Sequence, residues 1–229
     1  YAFAGYSDDI TADTREAIRF TVSPSKKLSE DELRMEIEMQ PGSFYAHLYL
    51  GRALMAKGKN EDAIEMLKKA QGLLPTYVHA GNPYRLLADI YKKTGDLEGQ
   101  IRELEALTSI DENNIEGCKE LAQIYDDRRR DNELIDILSR ATMINPFDSK
   151  VRNMRGTAYE RQQRFNEAII EFQAALKVET TDMAGAYFNL SRVYLAAGRK
   201  SEAKRSALAA LEIAPNFEAA QEILLNSLE

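Results

Sequence analysis

Few residues in this chain could do chemistry, and none stands at the spacing its chemistry needs. A helical zinc site takes two histidines one turn apart with a glutamate between them, and ribbon-type sites take Cys-x-x-Cys pairs. Here there are His47, His79 and a single Cys118, so neither template applies. Gly51 followed by Gly58-Lys59 has some ingredients of a phosphate loop. The glycine spacing is wrong, however, and no Ser or Thr follows the lysine. Asp111-Glu112-Asn113-Asn114 resembles the start of a calcium loop but lacks the later glycine that lets the loop turn. Arg128-Arg129-Arg130 is the one basic run. Asp126, Asp127 and Asp131 flank it, which marks a solvated turn. Asn189-Leu190-Ser191 fits the glycosylation pattern but falls inside a helical stretch. The expectation is a protein with no catalytic residues, no metal and no cofactor: not an enzyme.

Composition narrows the class further. The 229 residues are 44% hydrophobic and 29% charged, enough apolar material for a core over one or two domains. The net charge of -7 argues against a nucleic-acid binder working by bulk charge. No stretch approaches the run of about 20 apolar residues that spans a bilayer. A lone cysteine fits a reducing, cytoplasmic setting, and a periplasmic one stays open if a signal segment has been removed. The chain starts at Tyr1 rather than Met, which suggests a piece of something longer.

The elements that must carry any function are revealed by internal repetition. Gly51, Ala88, Ala122, Gly156 and Ser191 are small residues 37, 34, 34 and 35 positions apart. Three residues after each comes Leu54, Tyr91, Tyr125, Tyr159 or Tyr194. Ala63, Ala168 and Ala203 recur twelve positions after their small residue, with Gln100 and Leu134 in the other two units. Both flanks of each unit show helical periodicity, and Gly58, Gly95 and Gly198 sit in the turn between them. Pro75, Pro146 and Pro215 end second helices. Each unit therefore reads as two helices joined by a tight turn. One pair cannot bury its own apolar face, so neighbours must stack.

These residues resemble the tetratricopeptide repeat family, whose 34-residue signature runs Leu-Gly, Tyr, Gly, Ala, an aromatic, Ala-Leu and Pro. The match covers residues 44–217. Repeats one, four and five are nearest; repeat three is weakest, with Leu134 for the alanine and Arg129 for the turn glycine. The resemblance implies an all-α fold: a right-handed α-solenoid of stacked helix-turn-helix repeats over about 44–80, 81–114, 115–148, 149–183 and 184–217. Residues 218–229 read as a C-terminal capping helix. Residues 1–43 form an N-terminal tail followed by either a degenerate repeat, with Ala17 and Phe20 in its frame, or a loose pre-helix beginning at the Ser29 cap.

The resemblance also implies where a partner sits. In this family the first helix of each repeat lines a concave groove. Carried over by position, that groove takes Tyr45, Leu48, Arg52 and Met55 from repeat one and Arg85, Asp89 and Lys92 from repeat two. Repeat three supplies Lys119, Gln123 and Asp126. Repeats four and five supply Lys150, Asn153, Thr157 and Glu160, then Phe188, Arg192 and Leu195. The family's two-carboxylate clamp for chaperone C-termini is not supported, because Leu48 and Arg52 occupy its first two positions. Arg52, Arg85, Lys92, Lys119, Lys150 and Arg192 form a basic line in an acidic chain, which favours a protein or peptide partner with acidic residues. Two roles follow: a protein-binding scaffold, or the docking arm of a larger enzyme, such as a peptidase, or of an envelope assembly machine. Self-association through repeat edges is a third use of the same surfaces.

Overall fold

The computed structural model describes residues 28–178 and 181–228. Within them the chain is helical throughout, with twelve α-helices and no strand: an all-α repeat fold. They are α1 (Glu30–Met39), α2 (Phe44–Ala56), α3 (Asn60–Leu73), α4 (Pro83–Thr94), α5 (Leu97–Ile110), α6 (Ile115–Asp127), α7 (Asp131–Ile144), α8 (Ser149–Arg161), α9 (Phe165–Lys177), α10 (Met183–Ala196), α11 (Lys200–Ile213) and α12 (Glu218–Asn226). Two compact units divide them, one ending at Asp111 and the next beginning at Glu112. That boundary falls in the connection between α5 and α6. Ala17 and Phe20, offered as part of a degenerate first repeat, lie outside the described residues.

In the first unit α1 packs on α2, α2 on α3 and α4, α3 on α4, and α4 on α5. A capping box starts α1: the Glu32 amide donates to Ser29 Oγ at 3.2 Å, and the Ser29 amide to Glu32 Oε2 at 2.7 Å. Leu33 from this helix joins Phe44, Leu50, Leu54, Leu67 and Leu87 in one buried cluster. In the second unit each helix from α6 to α12 packs on the next, and α12 also lies on α10. Phe172, Ile169, Leu190 and Val193 hold its C-terminal half together.

The turns explain why different sequences give one shape. Gly58, Gly95, Arg129, Gln163 and Gly198 all take left-handed φ, from 55° to 80°. In each, the next amide returns to the carbonyl at the Leu54 or tyrosine position: Lys59 to Leu54, Asp96 to Tyr91, Arg130 to Tyr125, Arg164 to Tyr159 and Arg199 to Tyr194, at 2.8–3.0 Å. This is the wide loop bond of the Schellman cap. Repeat three thus keeps the turn without its glycine. Its Leu134 is fully buried in the alanine's place, as Gln100 is nearly so in repeat two.

Helix starts divide by role. First helices carry side-chain caps: Ser43, Asn82, Asn114, Asp148 and Asp182 each accept from an amide in the first turn. Of the second helices only α5 does, through Asp96. Three others begin at Arg130, Arg164 and Arg199, which make no cap bond. Instead each guanidinium lies over its repeat tyrosine, at 4.8 Å from Tyr125, 4.5 Å from Tyr159 and 4.8 Å from Tyr194. Each also pairs with the glutamate three residues on: Glu133, Glu167 or Glu202. The pattern Tyr-x4-Arg-x2-Glu is readable in the sequence at all three places and went unrecognised there.

Candidate functional site

Helix α2 has two faces. Leu48, Leu50 and Leu54 enter the core of the first unit. Leu48 is only 2% exposed, so its expected place on an outer groove is corrected: this register faces the neighbouring helices rather than solvent. Tyr45 and Met55 are half-buried at the edge of that core, and Arg52 is exposed.

The connection between α3 and α4 comes back onto this helix. Tyr77 lies 4.8 Å from the ring of Phe44 and 6.2 Å from Tyr45, and Tyr45 lies 6.3 Å from Tyr49. His79 meets Tyr77 edge-on at 5.2 Å. The Arg52 guanidinium sits 5.7 Å from the Tyr49 ring centroid, and a Cβ added to Gly81 would lie 3.6 Å from its Nη1. The connection is pinned from α4. The Tyr84 hydroxyl donates to the Pro75 carbonyl at 2.8 Å, and Asn82 Nδ2 donates to the His79 carbonyl at 3.1 Å. Burial pushes the Tyr77 phenol above its usual range; the Tyr49 phenol acts in the same direction and Arg52 against it. Further along, Arg85 pairs with Asp89 at 2.9 Å on the same helix, and Lys92 is exposed.

In the second unit the expected contact residues are largely engaged with one another. Lys119 reaches Asp148, the cap of α8, at 2.9 Å. Burial works to raise the Asp148 carboxyl. The Lys119 ammonium and the amides of Val151 and Lys150 outweigh it and hold the group below its usual value. Gln123 donates to Asp127 at 2.8 Å, and Asp126 pairs with Arg161. Arg192 pairs with Glu160 at 2.7 Å and lies 5.7 Å from the Phe188 ring, which packs against Phe217 at 4.9 Å. The Thr157 hydroxyl donates to the Asn153 carbonyl at 3.0 Å. Asn153 Oδ1 is enclosed with no hydrogen-bond partner among the described residues, and Leu195 packs at the core edge. Lys150 is exposed and pairs with no carboxylate among the described residues. Carboxylates thus offset much of the basic line read from the sequence.

The structure adds Tyr49, Tyr77 and His79, which sequence reasoning did not assign to the site. The signal was present: the first repeat interval is 37 residues where the next two are 34, and the extra residues fall in the connection carrying Tyr77 and His79.

Comparisons with known proteins agree with this geometry. A tetratricopeptide repeat profile matches residues 30–78 and 153–216, and a second one residues 84–114. No curated protein matches the chain. Among solved structures, the MamA protein is similar at 25% identity and a TM-score of 0.57, over 63% of this chain and 78% of that one. YrrB, described as a TPR protein with an unusual peptide-binding site, is similar at 17% identity and a TM-score of 0.59, over 85% of this chain and 98% of its own. MamA AMB-1 is similar at 21% identity and a TM-score of 0.55, over 78% and 96%.

Proposed function

Because the chain belongs to the tetratricopeptide repeat family, we propose that it is a non-catalytic protein-interaction scaffold. It holds a peptide or a partner helix against the outward faces of its first helices. The observation that carries this reading is the division of labour on α2. Leu48, Leu50 and Leu54 supply the packing, while Tyr45, Tyr49, Arg52 and Met55 on the same helix remain at least partly open. A surface helix needs only one apolar stripe to hold its place. Ring faces beside a cation offer a partner both apolar area and charge. YrrB, a protein of the same fold, has a peptide-binding site, and the same class of ligand suits the face of α2.

No group of three or more His, Cys, Asp or Glu able to hold a metal occurs among the described residues. Cys118 is buried, and the buried ring of His47 is tied through Nδ1 to the Ser43 carbonyl at 2.8 Å. The partner is a peptide rather than a nucleic acid, because the chain is acidic and carboxylates hold the groove cations Arg85, Lys119 and Arg192.

Affinity capture with the full chain tests the reading. Arg52→Glu with Met55→Glu alters the first unit's face, and Lys150→Glu alters the second's. A partner lost from either variant at unchanged melting temperature supports binding on the first helices. Partners retained in full by both variants place the contact elsewhere and overturn it.

A further inference from the structure

The connection 74–82 belongs to the longest repeat interval in the chain. Within it Tyr77 lies against Phe44 and Tyr45, and Tyr49 continues the row of rings along α2. Arg52 stands at the end of that row, one helical turn beyond Tyr49. Its situation differs from that of other arginines on the first helices. Arg85, Arg161 and Arg192 each hold a carboxylate within 3 Å. Arg52 is exposed, lies near the Tyr49 ring and the backbone of Gly81, and makes no ion pair among the described residues. An exposed guanidinium with no carboxylate paired to it among the described residues, on a chain of net charge -7, is a local positive point with an apolar shelf beside it. Guanidinium groups prefer carboxylates held two-pronged, and ring faces prefer flat or aliphatic groups.

We infer that Tyr45, Tyr49, Tyr77 and Arg52 form a seat for an Asp or Glu side chain of a partner peptide, with an adjacent proline or aliphatic residue lying on the tyrosine rings. This rests on the peptide-binding reading above and adds the chemistry of the ligand. Arg52 takes the carboxylate. Tyr77 adds its ring beside Tyr45. Tyr45 and Tyr49 supply apolar contact. The connection presents Tyr77 already in place, because Tyr84 and Asn82 tie its backbone down. Little ordering entropy is then lost on binding.

Selection from a displayed random peptide library against the full chain tests this. The library is run in two forms, one with internal peptides and one with free C-termini. The expected result is enrichment, in the internal form, of Asp or Glu next to proline or an aliphatic residue. A selected peptide should then lose about tenfold or more in affinity on Arg52→Gln. It should lose a similar amount when its own acid is changed to the amide, and the two changes together should cost no more than either alone. Tyr77→Phe should keep most of the affinity and Tyr77→Ala should lose it, with melting temperatures measured for each variant. Enriched peptides without an acid, enrichment only with free C-termini, or acidic peptides indifferent to Arg52→Gln would overturn the seat and leave the peptide-binding reading standing. Failure to enrich any peptide in either form would overturn that reading as well.

Discussion

Phe172 in α9 lies directly on the backbone of Gly156 in α8: a Cβ added to the glycine would come 2.7 Å from Cε1 of the ring. Gly51 and Leu67 stand in the same relation in the first unit, also at 2.7 Å. Gly156→Ala should therefore destabilise by about 1–3 kcal/mol, although alanine is the better helix former. Gly72→Ala, in α3 with nothing within 4 Å of the new Cβ, should stabilise by about 0.5–1 kcal/mol. Phe172→Ala should cost about 3–5 kcal/mol and Ala168→Leu about 1–3 kcal/mol, since both residues are fully buried. Denaturant midpoints check all four.

Arg129 and Gln163 hold left-handed φ where the other turns use glycine. The left-handed region costs a residue with a Cβ roughly 1–2 kcal/mol. Part of that returns on mutation to glycine, offset by the freer unfolded chain. Arg129→Gly and Gln163→Gly should each stabilise by about 0.5–1 kcal/mol. Gly198→Ala should lose about 1 kcal/mol. Equal midpoints for the glycine variants and the wild type would mean that those turns are unstrained.

The Arg164 guanidinium interacts with the Tyr159 ring on one side and Glu167 on the other. Salt screens an exposed ion pair more strongly than ring contact. Double-mutant cycles should show an Arg164–Glu167 coupling that fades toward 1 M salt. The Arg164–Tyr159 coupling should largely persist. If both vanish together, the ring contact contributes nothing of its own.

Two glutamates should act oppositely with pH. Hydrogen bonds from Lys57 and Arg34 hold the Glu30 carboxyl down at about 2, against an ordinary 4.5. Its contribution is therefore full above pH 4.5 and is lost as the pH falls toward 2. Glu30→Gln should lower stability at neutral pH, with the deficit shrinking below pH 4.5. Burial raises Glu103, which the Gln71 amide at 2.7 Å only partly relieves. The unfolded chain then releases that proton first, and stability falls as the pH rises from 4.5 through the folded-state value. Glu103→Gln should stabilise at pH 7 and be neutral well below 4.5. Thermal melts across the pH range check both signs.

Lys119 is bound to the capping carboxylate of α8, so charge reversal there affects folding as well as any partner. Asp148→Ala should cost about 1 kcal/mol through the lost cap. Lys119→Glu should also lower the melting temperature, because it sets a second carboxylate against Asp148. An unaltered melting temperature for Lys119→Glu would mean that the Lys119–Asp148 pair contributes nothing to folding.

The repeat frame was legible because packing imposes it on residue type. Gly51 and Gly156 must be small where Leu67 and Phe172 press on them, so the spacing survives in the sequence. Arg129 departs from the glycine of the turns at Gly58, Gly95 and Gly198, yet the Arg130-to-Tyr125 bond at 2.9 Å closes its turn without glycine, and composition carries no sign of that bond. The site was harder to read. Helical position alone did not separate Leu48, turned inward, from Arg52, turned outward. Nor did it show that Lys119 and Arg192 spend their charge on Asp148 and Glu160. Such pairings depend on residues about 30 positions away and leave no periodic trace. The Tyr-x4-Arg-x2-Glu pattern does leave one and was legible in principle.

The main packing in either unit joins helices that adjoin along the chain, or are separated by one other in α2–α4 and α10–α12. Few loops have to close over long distances before contacts begin to form, so the contact order is low and the search short. Each hairpin can form on its own turn and then recruit the next. The order of events is then governed by the local stability of the hairpins rather than by long-range pairing. The hairpins turning at Gly58, Gly95 and Gly198 are placed to form ahead of those turning at Arg129 and Gln163.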